Sequence, residues 1–159
     1  MVTTYGAGLP HIRPQNMESQ DLRNAGLKVT LPRLKILEML EKSPTRHLSA
    51  EEIYRMLIES GEEIGLATVY RVLTQFESAA LVTRHHFEGG HAVFELDEGG
   101  HHDHIVCVQC GHVDEFVDDV IERRQHEKAA EMGFKLTEHS LIMYGRCNRE
   151  NCPNKGAKS

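Results

Sequence analysis

A stretch of twelve residues, 101–112, constrains the second half of the chain more than any other feature. It holds four histidines, one aspartate and two cysteines. Side chains alternate between the two faces of a strand, so an extended conformation places His102 and His104 on one face and His101 and Asp103 on the other. Neighbouring residues then cannot easily share one ion. The stretch therefore predicts two separate histidine sites, with the cysteines serving a third.

The four cysteines of the chain form two close pairs. Cys107 and Cys110 are three residues apart, and Gly111 permits the tight turn that a metal knuckle requires. Cys147 and Cys152 form the second pair. This spacing predicts a tetrahedral, structural Zn²⁺ site; a redox disulfide pair or inert thiols are the alternatives.

Composition excludes several classes of protein. With 159 residues, 40% hydrophobic and 26% charged, the chain has the composition of a globular protein of one or two small domains. It has neither an apolar run of transmembrane length nor a secretory signal pattern, so we expect a cytoplasmic protein with no membrane partner. The net charge of −6 argues mildly against DNA binding, although bound divalent metals would offset several negative charges.

The first half shows the pattern of a winged helix. Residues 1–16 lack periodicity and are expected to be a disordered leader or extension, and a winged-helix domain is expected to span 17–96. Thr30 and Pro32 mark one helix start, and Ser49 with Glu52 predicts a capping box at the next. A third helix is predicted at about 65–79. The alternating segments 81–87 and 91–96 then predict a β-hairpin.

The outer face of the third helix centres on Arg71 and has the composition of a DNA-reading surface. Ala67, Thr74 and Gln75 flank Arg71, with Thr68 and Tyr70 at the edges. Small and hydrogen-bonding side chains around one arginine suit the major groove, whereas an ordinary solvated face is the alternative. Arg84, on the hairpin, is placed to meet a phosphate.

The second half is predicted to be mixed α/β. A polar, glycine-rich hinge is expected at 97–100, a metal-binding domain at 101–152 and a flexible tail at 153–159. Within that domain we expect strands near 104–108, 112–117 and 140–145, and a helix at about 118–132 that Gly133 ends. The fold class is therefore α+β.

Four motifs, in order and spacing, closely resemble the ferric uptake regulator family. They are residues 26–33 (GLKVTLPR), 63–73 (EIGLATVYRVL), 87–90 (FEGG) and 101–104 (HHDH), and the similarity spans about 17–152. The resemblance implies a metal-activated repressor with an N-terminal winged helix-turn-helix domain and a C-terminal dimerisation domain. It also implies a homodimer that binds a palindromic, A·T-rich operator, with tetramer formation left open.

The resemblance assigns two further metal sites. The regulatory site falls on His47, Glu95, His102, His104 and Glu115, a donor set that suits Fe²⁺ or Mn²⁺. The second site falls on His101, Asp103, Glu122 and His139, in agreement with the alternation described above. The remaining histidines of the folded region have no such support and are expected to be structural or solvated: His85, His86, His91, His112 and His126.

For DNA, the resemblance points to Tyr70 and Arg71 on the recognition helix, to Lys28 in the minor groove and to Arg33 at a phosphate. Thr68 joins them at the edge of the same helix face.

Within the superfamily, glutamate at positions 95 and 115 favours iron sensing, because the peroxide-sensing relatives carry aspartate there. The zinc-sensing branch adds a cysteine to its regulatory site, and all four cysteines here are already assigned. Manganese, zinc or peroxide sensing is the alternative within the superfamily. A non-haem Fe(II) enzyme and a zinc storage module are the alternatives outside it; we expect no enzymatic activity. Ala80 stands where relatives often carry glycine.

Overall fold

The computed structural model of the chain describes residues 16–88 and 90–148, which divide into two compact units. The first unit contains the described residues up to His86 together with His91–Glu98. The second contains the turn at Phe87–Gly90 and the described residues from Gly99 onward. Cys152, the predicted tail and nearly all of the predicted leader lie outside the described residues.

The first unit contains four helices and a small sheet. In chain order its elements are α1 (Asn16–Asn24), α2 (Leu31–Lys42), β1 (Leu48–Ser49), α3 (Ala50–Glu59), α4 (Leu66–Ser78), β2 (Val82–His86) and β3 (Ala92–Leu96). Helix α1 begins at Asn16, within one residue of the predicted start of the domain at residue 17.

Local sequence signals account for the helix boundaries in this unit. Helix α3 begins with the predicted capping box: Ser49 accepts a hydrogen bond from the Glu52 N–H, while the Glu52 carboxylate accepts one from the Ser49 N–H. Helix α3 is followed by Gly61, whose φ of 80° is left-handed. Gly65 caps α4, and Pro32 lies in the first turn of α2.

The helices pack around one apolar core. Each of α2, α3 and α4 presents one stripe of side chains to it, and the completely buried members include Ile36, Ile53, Val69, Leu73 and Phe76. Their spacing of three and four residues is that of one helix face. The opposite face of α4 is therefore left outside the core.

The sheet of the first unit is antiparallel with strand order β1-β3-β2. Phe94 on the central strand pairs with Leu48 and with Arg84, and its side chain points into the core. Glu95, the next residue, points to the other face. The hairpin is confirmed, whereas the two-residue β1 was not predicted because so short a strand has no periodicity of its own.

The second unit is built on a three-stranded sheet. Its elements are β4 (Asp103–Cys107), β5 (Val113–Phe116), α5 (Asp119–Glu131) and β6 (Ile142–Gly145). Strand β4 is central, antiparallel to β5 and parallel to β6. The Asp118 carboxylate caps α5 by accepting hydrogen bonds from the N–H groups of Val120 and Ile121, and Gly133, at φ 85°, follows its end.

Helices and sheets in both units confirm the predicted α+β class. Among the residues that the structure describes, none of the helices is long and apolar enough to cross a membrane.

Candidate metal centres and DNA-binding surface

The outer face of the first unit's sheet carries two imidazoles around a buried carboxylate. Glu95 lies on the central strand, and its side chain is 4% exposed. His47, directly before β1, has its Nε2 2.8 Å from Glu95 Oε2. His85, on β2, has its Nε2 3.0 Å from Glu95 Oε1. Imidazole nitrogens and a carboxylate are donors that suit divalent iron or manganese, so His47 and Glu95 can act as a pair of ligands.

The pleat of β4 separates the four residues at the start of the stretch as the sequence predicted. The rings of His102 and His104 lie 4.9 Å apart, and His104 pairs with Glu115 across β4 and β5. The Nε2 of His102 is 3.9 Å from Glu115 Oε1. Phe87 packs on the His104 ring with centroids 5.4 Å apart, which limits the movement of that imidazole.

The five ligands predicted for the regulatory site are thus divided between the units. His47 and Glu95 belong to the first unit, and His102, His104 and Glu115 belong to the second. Each unit brings its own members together. Each set alone offers fewer donors than the five or six that iron or manganese takes with such ligands.

The other face of β4 brings together the four residues predicted for the second site. His101, Asp103, Glu122 and His139 each place a donor atom within 4.8 Å of the others. Glu122 Oε1 lies 2.8 Å from His101 Nε2 and 3.0 Å from His139 Nε2. The hydrogen bond with His139 is the main reason why the pKa of Glu122 is lowered, so this carboxyl stays ionised as a ligand must.

Asp103 is the buried member of this second cluster. Its side chain is 1% exposed, and its Oδ1 accepts a hydrogen bond from the Leu141 N–H at 3.2 Å and lies 3.2 Å from His101 Nε2. A buried carboxylate needs partners of this kind because its desolvation is costly. The two histidines and two carboxylates can hold one divalent cation.

Three thiols converge at the end of β4. The sulfurs of Cys107, Cys110 and Cys147 all lie within 4.8 Å of one another, and the Cys110 and Cys147 sulfurs are 3.7 Å apart. Gly111, at φ 74°, closes the knuckle, as its N–H donates to the Cys107 carbonyl at 2.8 Å. The fourth predicted ligand, Cys152, is outside the described residues.

The Cys107 thiol is prepared for metal binding. Its sulfur accepts a hydrogen bond from the Cys147 N–H at 3.3 Å. This contact, followed by a backbone contact from Cys110, lowers the pKa of Cys107 to about 6. Because the thiolate is the form that binds zinc, the arrangement fits a structural Zn²⁺ ion.

The face of α4 that the sequence predicted to contact DNA bases has exposed side chains at its centre. Arg71 is exposed and Tyr70 is 43% exposed. The Tyr70 hydroxyl donates to the Glu51 carboxylate; this hydrogen bond raises the pKa of Tyr70 and lowers that of Glu51. Thr68 is half-buried in the first turn of the helix.

Arg33 is held against α4 rather than extended into solvent. Its Nε and Nη2 donate to Gln75 Oε1 at 3.2 and 2.9 Å, and its Nη1 donates to the Lys28 carbonyl at 2.7 Å. The Lys28 side chain is exposed, and the Arg84 guanidinium lies over the Phe94 ring at 5.6 Å. The guanidinium groups of Arg33 and Arg84 are thus held by local contacts.

Two residues that contact the predicted sites were not predicted from the sequence. His85 was expected to be structural or solvated, and Glu51 had no predicted role. The contact of His85 with Glu95 depends on the register of the hairpin, in which Thr83 pairs with Glu95 and His85 with Val93. The alternation of β2 was the available signal, because it places His85 on the same face as Glu95 once that register is known.

Known proteins share this fold and much of this sequence. The model of the ferric uptake regulator family matches residues 24–144. The ferric uptake regulation protein of Legionella pneumophila is 64% identical over 130 residues, which cover 82% of this chain and 96% of that protein.

Solved structures give the same result. The Vibrio cholerae ferric uptake regulator has a TM-score of 0.75 at 64% identity, covering 81% of this chain and 98% of that one. The Pseudomonas aeruginosa regulator, solved with manganese, has a TM-score of 0.71 at 59% identity, covering 83% and 98%. With a family match over most of its length and relatives of this similarity, the chain belongs to the ferric uptake regulator family.

Proposed function

We propose that this ferric uptake regulator represses transcription when Fe²⁺ binds one ligand set: His47, Glu95, His102, His104 and Glu115. The chain is a metal-dependent, DNA-binding transcription regulator and not an enzyme. The observation that carries the proposal is the division of these donors between two units, with each unit's donors already gathered on one sheet face.

The physical mechanism is a shift of population. A metal that needs donors from both units favours whichever interdomain geometry lets all of them bind, and operator DNA favours the same geometry. Metal and DNA then increase each other's affinity by the same factor. The mixed imidazole and carboxylate donors suit Fe²⁺ or Mn²⁺, and the Pseudomonas aeruginosa relative solved with manganese supports this choice.

The other two clusters serve stability in this proposal. A zinc ion held by Cys107, Cys110, Cys147 and Cys152 fixes the knuckle at the end of β4. The cluster of His101, Asp103, Glu122 and His139 takes a second divalent ion that strengthens the dimerisation domain. A divalent ion at the second of these clusters, which holds two carboxylates, also offsets part of the net charge of −6, which otherwise opposes association with phosphates.

DNA recognition falls to the winged-helix unit of each protomer of a dimer. Arg71 hydrogen-bonds to a base edge, and Tyr70 contacts a thymine methyl. Thr68, near the start of the helix, hydrogen-bonds to the DNA. Lys28 enters the minor groove, and Arg33 binds a phosphate from its position on Gln75. A two-fold dimer requires a palindromic operator, and we propose that two dimers can occupy adjacent sites as a tetramer.

The test is anaerobic fluorescence anisotropy of the full chain with an A·T-rich palindromic duplex and a scrambled duplex. Fe²⁺ and Mn²⁺ are titrated in separate arms and then removed with a chelator. We expect binding that appears with metal, reverses with chelator and is roughly a thousandfold tighter for the palindrome. Tight binding that ignores metal would remove the regulatory role of the ligand set, and equal binding to both duplexes would remove the operator reader.

Two variants separate the two roles. Arg71→Ala should weaken operator binding by about 1–3 kcal/mol and leave the metal content unchanged. His102→Ala should abolish metal-dependent binding and keep the zinc. Metal loss in Arg71→Ala, or full metal activation of His102→Ala, would contradict this division of labour.

A further inference from the structure

We propose that His85 is a positioning residue for the regulatory site, holding the Glu95 carboxylate so that one chosen oxygen is offered to the metal. This inference rests on the proposed function, because Glu95 must be a ligand for its orientation to matter. All the contacts that carry it lie within the first unit.

The sheet places Glu95 between two histidines. Glu95 is on β3, the central strand, with β1 on one side and β2 on the other. His47 directly precedes β1, whose Leu48 pairs with Phe94, so continuation of that register brings His47 beside Glu95. On the other side, His85 is the diagonal neighbour of Glu95, two residues from Thr83, its direct partner.

The two histidines contact different oxygens of one carboxylate. His85 Nε2 lies 3.0 Å from Oε1, and His47 Nε2 lies 2.8 Å from Oε2. A carboxylate is only an acceptor, so the proton in the first contact must be on His85 Nε2. A hydrogen bond to Oε1 fixes the rotation of the carboxylate. It therefore fixes where Oε2 points, which is toward the His47 nitrogen.

The geometry favours a positioning role over a ligand role for His85. A ligand nitrogen would have to turn toward a point shared with His47, but the His85 nitrogen is directed to the far oxygen of Glu95. The two rings are 5.7 Å apart between centroids and inclined by 64°. A neutral His85 is sufficient for this role.

Burial makes the hydrogen bond effective. The side chains of His85 and Glu95 are 16% and 4% exposed, so water competes weakly for the carboxylate. Partners of this kind orient metal-binding side chains, and their removal typically lowers metal affinity about 10- to 100-fold. The competing explanation is that His85 only packs on the sheet, in which case its loss would change stability rather than metal affinity.

The experiment measures Mn²⁺ binding to the full-length protein by the electron paramagnetic resonance signal of free Mn²⁺. All variants carry His101→Ala, so that the second cluster does not contribute. His85→Phe keeps a planar ring but removes the donor, whereas His85→Gln restores an amide N–H of about the same reach. His86→Phe is the matched control, because His86 is the exposed neighbour on the opposite face of β2.

We expect His85→Phe to bind Mn²⁺ about 10- to 100-fold more weakly, with His85→Gln close to the parent and His86→Phe unchanged. Urea unfolding of the metal-free variants should show the same midpoint for His85→Phe and His85→Gln. Unchanged Mn²⁺ affinity in His85→Phe would overturn the proposal. An equal loss in His85→Phe and His85→Gln, accompanied by lower midpoints, would also overturn it, since it would show a packing role.

His102→Ala in the same background distinguishes this proposal from the one on which it rests. If His102→Ala binds Mn²⁺ like the parent while His85→Phe does not, His102 is not a ligand. The ligand set shared between the units then fails, whereas the role of His85 is supported. If neither variant changes the affinity, both proposals are wrong.

Discussion

At the scale of single residues, Ala80 carries an identifiable backbone strain. Its φ is 54°, and it follows the cap of α4, where the Leu81 N–H donates to the Phe76 carbonyl at 2.9 Å. This is the left-handed conformation that glycine adopts without steric cost. We predict that Ala80→Gly stabilises the first unit by up to about 1 kcal/mol, partly offset by the greater freedom of glycine when unfolded.

Urea denaturation of the metal-free protein measures this effect. Gly61→Ala is the opposite control, because Gly61 follows α3 with φ at 80° and an added Cβ would meet only strain, not a neighbour. A fall in stability for Ala80→Gly would contradict the prediction, because it would show that the strain at Ala80 is smaller than the effect of the freedom that glycine gains in the unfolded chain.

The Cys107 thiol gives a prediction about pH. Since its pKa is lowered to about 6, the thiol is already ionised at neutral pH and binds zinc without first releasing a proton. Below that pH, protons compete with the metal. The contribution of Cys107 to the pH dependence of zinc affinity should therefore be large at acidic pH and fade as the pH rises through about 6.

Competition with a chromogenic chelator across this range would test it, with Cys107→Ser as the variant that lacks the contribution. If the difference in zinc affinity between the parent and Cys107→Ser kept increasing well above neutral pH, the lowered pKa of Cys107 would be contradicted.

At the scale of elements, a side-chain hydrogen-bond pair connects Arg33 of α2 with Gln75 of α4. Gln75 Oε1 accepts two hydrogen bonds from the Arg33 guanidinium, which limits where that cation can lie. We predict that Gln75→Ala weakens binding to the operator and to the scrambled duplex by the same several-fold factor, because a phosphate contact carries no base information. Anisotropy with both duplexes measures this. The exposed Gln109→Ala is the control, and a loss confined to the operator would make Gln75 itself a base reader.

Elements were predictable wherever a local signal specifies them. The capping box at Ser49, the glycine after α5 and the alternation of the hairpin each act within a few residues, and the structure has all three. Strand β1 and the parallel pairing of β4 with β6 escaped prediction because they depend on segments distant in sequence. The contact of His85 with Glu95 escaped for the same reason.

At the scale of the whole molecule, the proposed function predicts that metal binding changes the mobility of the hinge at 97–100. Asp97, Glu98, Gly99 and Gly100 are all exposed, and one unit ends at Glu98. An ion held by both units should restrict this segment. We predict that Mn²⁺ slows cleavage after Glu98 by a glutamate-specific protease roughly tenfold. This factor is typical of the coupling between ligand binding and a conformational equilibrium.

Mass spectrometry of the fragments measures the cleavage rate, and His102→Ala should lose the protection. Equal rates with and without Mn²⁺ in the parent would mean that the metal does not connect the two units.

The alternation along β4 has a consequence for how such a chain can change by insertion and deletion. His101 and Asp103 belong to one cluster, and His102 and His104 belong to the other. The face on which a side chain lies therefore alternates with each residue along the four positions. Removing one residue within 101–104 would exchange the faces of the residues on one side of the gap, and both proposed metal sites would lose donor groups in a single step. Substitutions can therefore retune each site separately, but a length change inside this stretch is a mutation of both sites at once.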